Sequence, residues 1–235
     1  DKKVLIPSQK AGCSLASSIT ADDVKKLKQS FPGVPVVTYV NTYADVKAEC
    51  DICCTSSNAA AVVQSLGVDQ VIFIPDEYLS KNVAVQLGHK IAFPNVYSED
   101  FRTEDYSDFQ MIGWAGRCEV HEKFTVEDIN TVRKQFSDVL ILSHPECSPE
   151  VVEASDFSGS TNAMIRYTSE SRASRYLLLT ECSMGDNIAS ENPEKEMLRL
   201  CSVRCPHMNQ ITLEDTLECL KKSQYEVDVP RHIAE

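Results

Sequence analysis

Cys13, Cys118 and Cys205 each stand seven residues before a threonine that opens a Thr-x-x-Asp run: Thr20 with Asp23, Thr125 with Asp128, Thr212 with Asp215. Thiolates are soft metal ligands, so three that meet at one place can hold metal. One fitting occupant is a cubane [4Fe-4S] cluster with a single iron lacking a protein ligand. Zinc is another, although zinc sites usually contain a close cysteine pair, which Cys201-x3-Cys205 only loosely provides. A lone cysteine is most often a small buried hydrophobe. The shared position of these three argues against that reading. It is the reading for Cys50, Cys53, Cys54, Cys147, Cys182 and Cys219, which have no counterparts.

His144-Pro-Glu146 follows the apolar run Val139-Leu-Ile-Leu-Ser143. Strand ends of parallel sheets are where site residues collect. The pair suits general acid–base work, with Glu146 able to take a proton from carbon beside a carbonyl or imine. A shift of 105 residues places Tyr39 on His144 and Asn41 on Glu146. The same shift relates Thr55-Ser56 to Gly159-Ser160-Thr161, two hydroxyl-rich stretches that open helices and so offer anion sites, or act only as caps. Pro75-Asp76 aligns with Thr180-Glu181, carboxylates that would stand behind the site. His121 and His207 follow their cysteines closely and read as structural residues.

The elements that must position these groups also repeat. The shift aligns Phe31 with Phe136, Val34 with Val139 and Asp51 with Asp156 without a gap. Helices are expected after Thr20, Thr125 and Thr212. Strands are expected at 4–7, 34–40, 51–54, 71–75, 139–143 and 176–180. Such alternation of helix and apolar strand predicts an α/β fold with parallel sheets. The polar, acidic stretch 95–110 reads as an exposed loop linking two units, 191–195 as a turn, and the residues after 222 as a polar tail. The units expected are 1–112 with Cys13, 113–196 with Cys118 and 197–235 with Cys205. The third lacks strands of its own, so upstream sequence is expected to complete it and close a three-part ring.

The chain has 235 residues and a net charge of -12, which disfavours a phosphate-tracking nucleic-acid surface. No apolar run approaches a membrane span. Ten cysteines at long, irregular spacings fit a reducing compartment better than a disulfide framework.

These residues together resemble the quinolinate synthase (quinolinate synthetase A) family. The matching stretches are Ala11-Gly-Cys-Ser-Leu-Ala16, Tyr39-Val-Asn-Thr42, Thr55-Ser56 with Asn58-Ala59, and Pro75-Asp76. They continue through Gly116-Arg-Cys-Glu-Val-His121, His144-Pro-Glu146, Gly159-Ser-Thr161, Asn192-Pro-Glu-Lys195 and Cys205-Pro. The resemblance implies a pseudo-threefold repeat of three-layer αβα domains with short parallel sheets, the first domain being largely missing from this chain. It implies a [4Fe-4S] cluster on Cys13, Cys118 and Cys205. The implied reaction condenses iminoaspartate with dihydroxyacetone phosphate to quinolinate, losing phosphate and water, for NAD biosynthesis. Glu146, His144 and Tyr39 would be catalytic. Tyr39, Asn41, Ser56, His144, Glu146, Ser160 and Thr161 would bind substrate. L-aspartate oxidase would supply the iminoaspartate, and neither nucleic acid nor membrane would be a partner. The compartment implied is the cytoplasm, or a plastid in a plant or alga, and the stretch 95–110 is longer than expected for a compact bacterial member. The rival readings are a non-catalytic iron–sulfur carrier and a zinc-stabilised scaffold.

Overall fold

The computed structural model describes residues 2–198, 200 and 203–234; Cys201 lies outside them. The first unit runs α1 (Ala21–Ser30), β1 (Val36–Tyr39), α2 (Ala44–Ala48), β2 (Ile52–Cys54), α3 (Ala59–Ser65), β3 (Val71–Ile74), α4 (Glu77–Leu87), β4 (Ile91–Ala92) and β5 (Met111–Gly113). The second runs α5 (Val126–Gln135), β6 (Leu140–Ser143), α6 (Pro149–Ala154), β7 (Phe157–Ser158), α7 (Thr161–Glu170), β8 (Arg175–Leu179), α8 (Ser183–Glu191) and β9 (Glu196–Leu198). Helices α9 (Leu213–Lys222) and α10 (Arg231–Ala234) follow. The strands form two all-parallel sheets, ordered β2-β1-β3-β5-β4 and β7-β6-β8-β9.

Successive strand side chains point to opposite faces, so each strand feeds two cores. In the first sheet Val37, Tyr39, Val71 and Phe73 pack toward α3 and α4, whereas Val36, Ile72, Ile74 and Ile112 pack toward α1 and α2. In the second, Ile141, Leu177 and Leu179 face α5 and α6, whereas Leu142, Tyr176 and Leu178 face α7 and α8. Both sheets are therefore covered on both sides, the three-layer αβα arrangement.

The sequence repeat is a repeat of interactions. Thr20, Thr125 and Thr212 each form a reciprocal capping box with Asp23, Asp128 and Asp215. The bond from each threonine amide to the aspartate Oδ2 measures 2.8, 2.8 and 3.2 Å. One carboxylate per sheet then fixes the first strand's start. Asp51 Oδ2 accepts from the Val36 amide at 2.7 Å, and Asp156 Oδ2 from the Ile141 amide at 2.8 Å. Lys28 pairs with Asp51 and Arg133 with Asp156, again 105 residues apart.

Two expectations need correction. Residues 95–110 are not simply an exposed loop. Their polar side faces solvent, but Phe101 and Tyr106 meet Phe31 edge-on with centroids 5.7 and 6.0 Å away, and Gln70 Nε2 donates to the Tyr106 and Phe109 carbonyls. The aromatic residues make the stretch a flap over α1, because burying them outweighs the solubility of the intervening acids. Residues 4–7 form no sheet strand. Instead Val4 and Ile6 pair antiparallel with Val227 and Tyr225, through bonds of 2.8 and 3.0 Å, so the tail is folded back rather than free. The turn expected at 191–195 is present and leads into β9 of the second sheet, anchored by Lys195, which donates to the carbonyls of Thr168 and Ser171 at the end of α7. Among the described residues no helix is long and apolar enough to cross a membrane.

If the carboxylate lock holds the sheets in register, Asp156→Ala should cost about 1–2 kcal/mol in urea unfolding, the worth of a charged hydrogen bond at a partly exposed site. A cost below about 0.5 kcal/mol, the range of ordinary surface substitutions, would remove the lock from the account.

Candidate active site

The carboxyl ends of β1, β3, β6 and β8 converge between the two sheets, delivering Tyr39, Asp76, His144 with Glu146, and Thr180 to one centre. Glu146 is buried there, and its carboxylate bridges the units. Oε1 accepts from the Tyr39 hydroxyl at 2.7 Å and Oε2 lies 3.0 Å from His121 Nδ1. His121 Nε2 lies 3.0 Å from Thr180 Oγ1, completing a chain Tyr39–Glu146–His121–Thr180. All four side chains are buried.

His144 stacks on His121 with ring centroids 4.7 Å apart. The Glu146 amide donates to His144 Nδ1 at 3.3 Å, so the proton of the neutral ring sits on Nε2, which faces Ser56 Oγ at 3.3 Å. Ser56 is free to do this because α3 starts only at Ala59. The preceding turn is closed by Asn58 Oδ1, which accepts from the Thr55 amide at 2.7 Å. Asn41 is half-buried at the same strand end and makes no hydrogen bond among the described residues. Ser160 caps α7 through Ala163, and Thr161 is exposed on its first turn. Ser56 and Ser160 line a shared cleft of about 770 Å³ between α3–α4 and α6–α7. Asn82 ties the floor together, donating to the carbonyls of Pro145 and Cys147 at 2.7 and 2.9 Å.

Burial alone would raise the Glu146 carboxyl, but His121, His144 and the Tyr39 hydroxyl outweigh it and hold the group below the usual carboxylate range. Asp76 goes the other way. Burial, then the charge of Glu146, raise it well above its ordinary value. Its Oδ1 caps α4 through the Leu79 amide at 2.6 Å, while Oδ2 is buried without a partner. The centre thus drives its two neighbouring carboxyls in opposite directions, Glu146 down and Asp76 up. Burial also lowers His144 to about 4, and burial followed by Glu146 raises Tyr39.

The cysteine-bearing loops meet beside this centre. Cys13, Cys118 and Cys205 are each half-buried. His207 Nε2 pairs with Glu119 Oε1 at 3.0 Å, the Glu119 amide donates to Ser14 Oγ at 3.5 Å, and a Cβ on Gly12 would lie 3.5 Å from His207 Nδ1. Each of these residues is within two positions of one of the cysteines, so all three loops interlock. Cys118 is further fixed through Arg117, whose Nε donates to the buried Glu77 at 2.8 Å, and through Gly116. A Cβ on Gly116 would stand 2.2 Å from Ser18 Oγ and 2.6 Å from the Pro75 carbonyl. The ligand atoms of Cys118, His121 and Glu146 all lie within 4.8 Å of one another, the one such triplet among the described residues. Burial, then Glu146, raise the Cys118 thiol; burial raises Cys13.

The structure brings Tyr39, Ser56, His144 and Glu146 together. Ser160 and Thr161 stand apart, across the cleft. It also corrects the reading of His121 as a structural residue: the imidazole is a direct partner of Glu146. The three-residue offset from Cys118 was its only signal in the sequence. Thr180 takes part through its hydroxyl, whereas Glu181 turns away and accepts from the Ser183 amide at 2.7 Å.

The pattern of one protein family, described as quinolinate synthetase A protein, matches residues 1–235. The chain is 50% identical over 233 residues to quinolinate synthase 2 of Mesorhizobium japonicum, covering 99% of this chain and 65% of the relative. It is 50% identical over 234 residues to the quinolinate synthase of Agrobacterium fabrum, covering 100% of this chain and 62% of the relative. It is 48% identical over 234 residues to that of Xylella fastidiosa, covering 100% and 63%. The chain therefore spans about two thirds of the length of these curated relatives.

The depressed His144 gives a signed expectation. Facing Glu146 and His121, the ring stays neutral in the folded protein down to about 4, whereas in the unfolded chain it protonates near 6.5. Its contribution to stability is present above the unfolded value and is lost as pH falls from there to about 4. Urea midpoints should drop across this window, and less steeply in His144→Gln. Parallel slopes would show that this ring is not the group responsible.

Proposed function

The chain belongs to the quinolinate synthetase A family, and from that premise we propose that it carries the centre at which iminoaspartate and dihydroxyacetone phosphate condense to quinolinate, losing phosphate and water. L-aspartate oxidase is the supplier of iminoaspartate, the setting is NAD biosynthesis in the cytoplasm, and the bacterial origin of the relatives supports that compartment. The unit boundaries expected after 112 and 196 fall inside β5 and β9, so the first unit extends through Gly113 and the second through Leu198; the remainder belongs to a third unit, which sequence upstream of residue 1 completes in this reading.

The observation that carries the reading is the buried, ionised Glu146 suspended between Tyr39 and His121. A carrier of electrons or clusters has no need for a desolvated base with two aligned donors. Glu146 takes a proton from the carbon beside the imine and later returns it. His121, with Thr180 behind it, steadies the charge and passes protons along the chain. The Tyr39 hydroxyl stays protonated and donates to developing negative charge. His144, neutral with its proton on Nε2, and Ser56 grip a carboxylate, and Asn41 adds its unengaged amide. Ser160 and Thr161 at the start of α7 receive the phosphate or a second carboxylate, where the helix dipole favours an anion.

Cys13, Cys118 and Cys205 hold a [4Fe-4S] cluster in this reading. Their chemistry fits: three half-buried thiols, soft ligands suited to iron, sit on loops that interlock through His207, Glu119 and Ser14. When bound, the cluster supplies a Lewis-acidic iron for the dehydration and cyclisation.

Anaerobic purification of the full gene product should give brown protein with about four irons per chain, which makes quinolinate from the two substrates. Iron-loaded protein that makes none would sink the enzyme reading and leave a carrier. Glu146→Gln should lower turnover by about 100-fold or more at unchanged iron content. Tyr39→Phe should lower it about tenfold, the loss of one charged hydrogen bond.

A further inference from the structure

Cys118, His121 and Glu146 present three different donors, a sulfur, an imidazole nitrogen and a carboxylate oxygen, all within 4.8 Å of one another. Ligand atoms around a tetrahedral zinc ion stand roughly 3.5 Å apart, given metal–ligand bonds of about 2.0–2.3 Å. Small side-chain rotations close the difference, and His121 Nδ1 and Glu146 Oε2 are already 3.0 Å apart. The loop carrying Cys118 cannot swing far, because Arg117 is paired with Glu77 at 2.8 Å and Gly116 is wedged against Ser18 and Pro75. The site is therefore largely formed before an ion arrives.

The imidazole is also correctly supported for ligation. With Nδ1 on the ion, its proton moves to Nε2, and Thr180 Oγ1, 3.0 Å away, becomes the acceptor. A ligating histidine usually has such a partner on its other nitrogen. The Cys118 thiol releases its proton to solvent. Three protein ligands leave the fourth position of a tetrahedral ion open, as in zinc enzymes rather than in closed structural zinc sites.

We propose that Cys118, His121 and Glu146 form a mononuclear site for zinc or another borderline divalent ion when no iron–sulfur cluster is present. Such an ion removes Cys118 from the cluster ligands and occupies the base and its partner in one step. Zinc is then both a competitor of cluster assembly and an inhibitor of the centre.

The test uses cluster-free, chelator-treated full-length protein loaded with Zn²⁺ alone. X-ray absorption at the zinc edge should report one sulfur with nitrogen and oxygen neighbours, at one ion per chain. Two or three sulfurs would mean that the cysteines alone bind the ion, and no sulfur would mean surface binding; either overturns the proposal. Titration with Co²⁺ should give tetrahedral bands with a thiolate charge-transfer feature. That feature should vanish in C118S and persist in C13S and C205S, while H121A and E146Q should each weaken binding about tenfold or more. Unchanged affinity in both latter variants, or loss of the feature in C13S or C205S, also overturns it. The wild-type absorption measurement does not depend on how any variant folds. Because neither measurement needs iron, failure to assemble a cluster tells against the proposed function and leaves this site to be judged separately.

Discussion

A single buried carboxylate sets the terms for everything around it. Glu146 is 2% exposed, and a charge so placed is tolerable only with partners that stabilise it. Those partners come from three separate parts of the chain: Tyr39 from the first sheet, His121 from the loop after Cys118, and His144 from the strand end beside it. The two units cannot slide or rotate against each other without leaving that charge unpaired. The same bonds that pin the units also aim a base, so stability and chemistry here rest on one group.

The internal repeat explains how the frame is built and also why it is not symmetrical in function. Capping boxes, strand locks and their basic partners recur 105 residues apart. At the strand ends the copies diverge. Where one unit has Tyr39 and Asn41, the other has His144 and Glu146, and Tyr39 meets Glu146 across the boundary between them. Duplicated scaffolds place equivalent positions near a shared axis; substitution there gives a donor opposite an acceptor. Their surroundings then separate the two nearby carboxyls: His121, His144 and Tyr39 overcome burial and hold Glu146 low, while burial and the charge of Glu146 raise Asp76.

Local chemistry was the legible part of the fold. A threonine followed three residues later by aspartate fixes a helix start through bonds within one turn, and all three such starts lie where the spacing puts them. Apolar runs rich in β-branched residues, such as Val71-Ile-Phe-Ile74, suit strands buried on both faces, and this one is such a strand. The stretch 95–110 misled because its composition is polar, while Phe101 and Tyr106 in it pack on Phe31 and the carbonyls of Tyr106 and Phe109 accept from Gln70 across the fold. No local pattern encodes such a meeting.

By itself the sequence determined which groups stand at strand ends and which cysteines are equivalent, since both follow from spacing along the chain. Only the tertiary structure decided that His121 is the partner of Glu146 and that Asp76 has an oxygen with nowhere to donate or accept. It alone placed Ser56 against His144, across 88 residues of chain. The reason is that a hydrogen bond between distant segments depends on two sheets packing at one relative position. That position is the outcome of all their buried surfaces together and is written in no single motif.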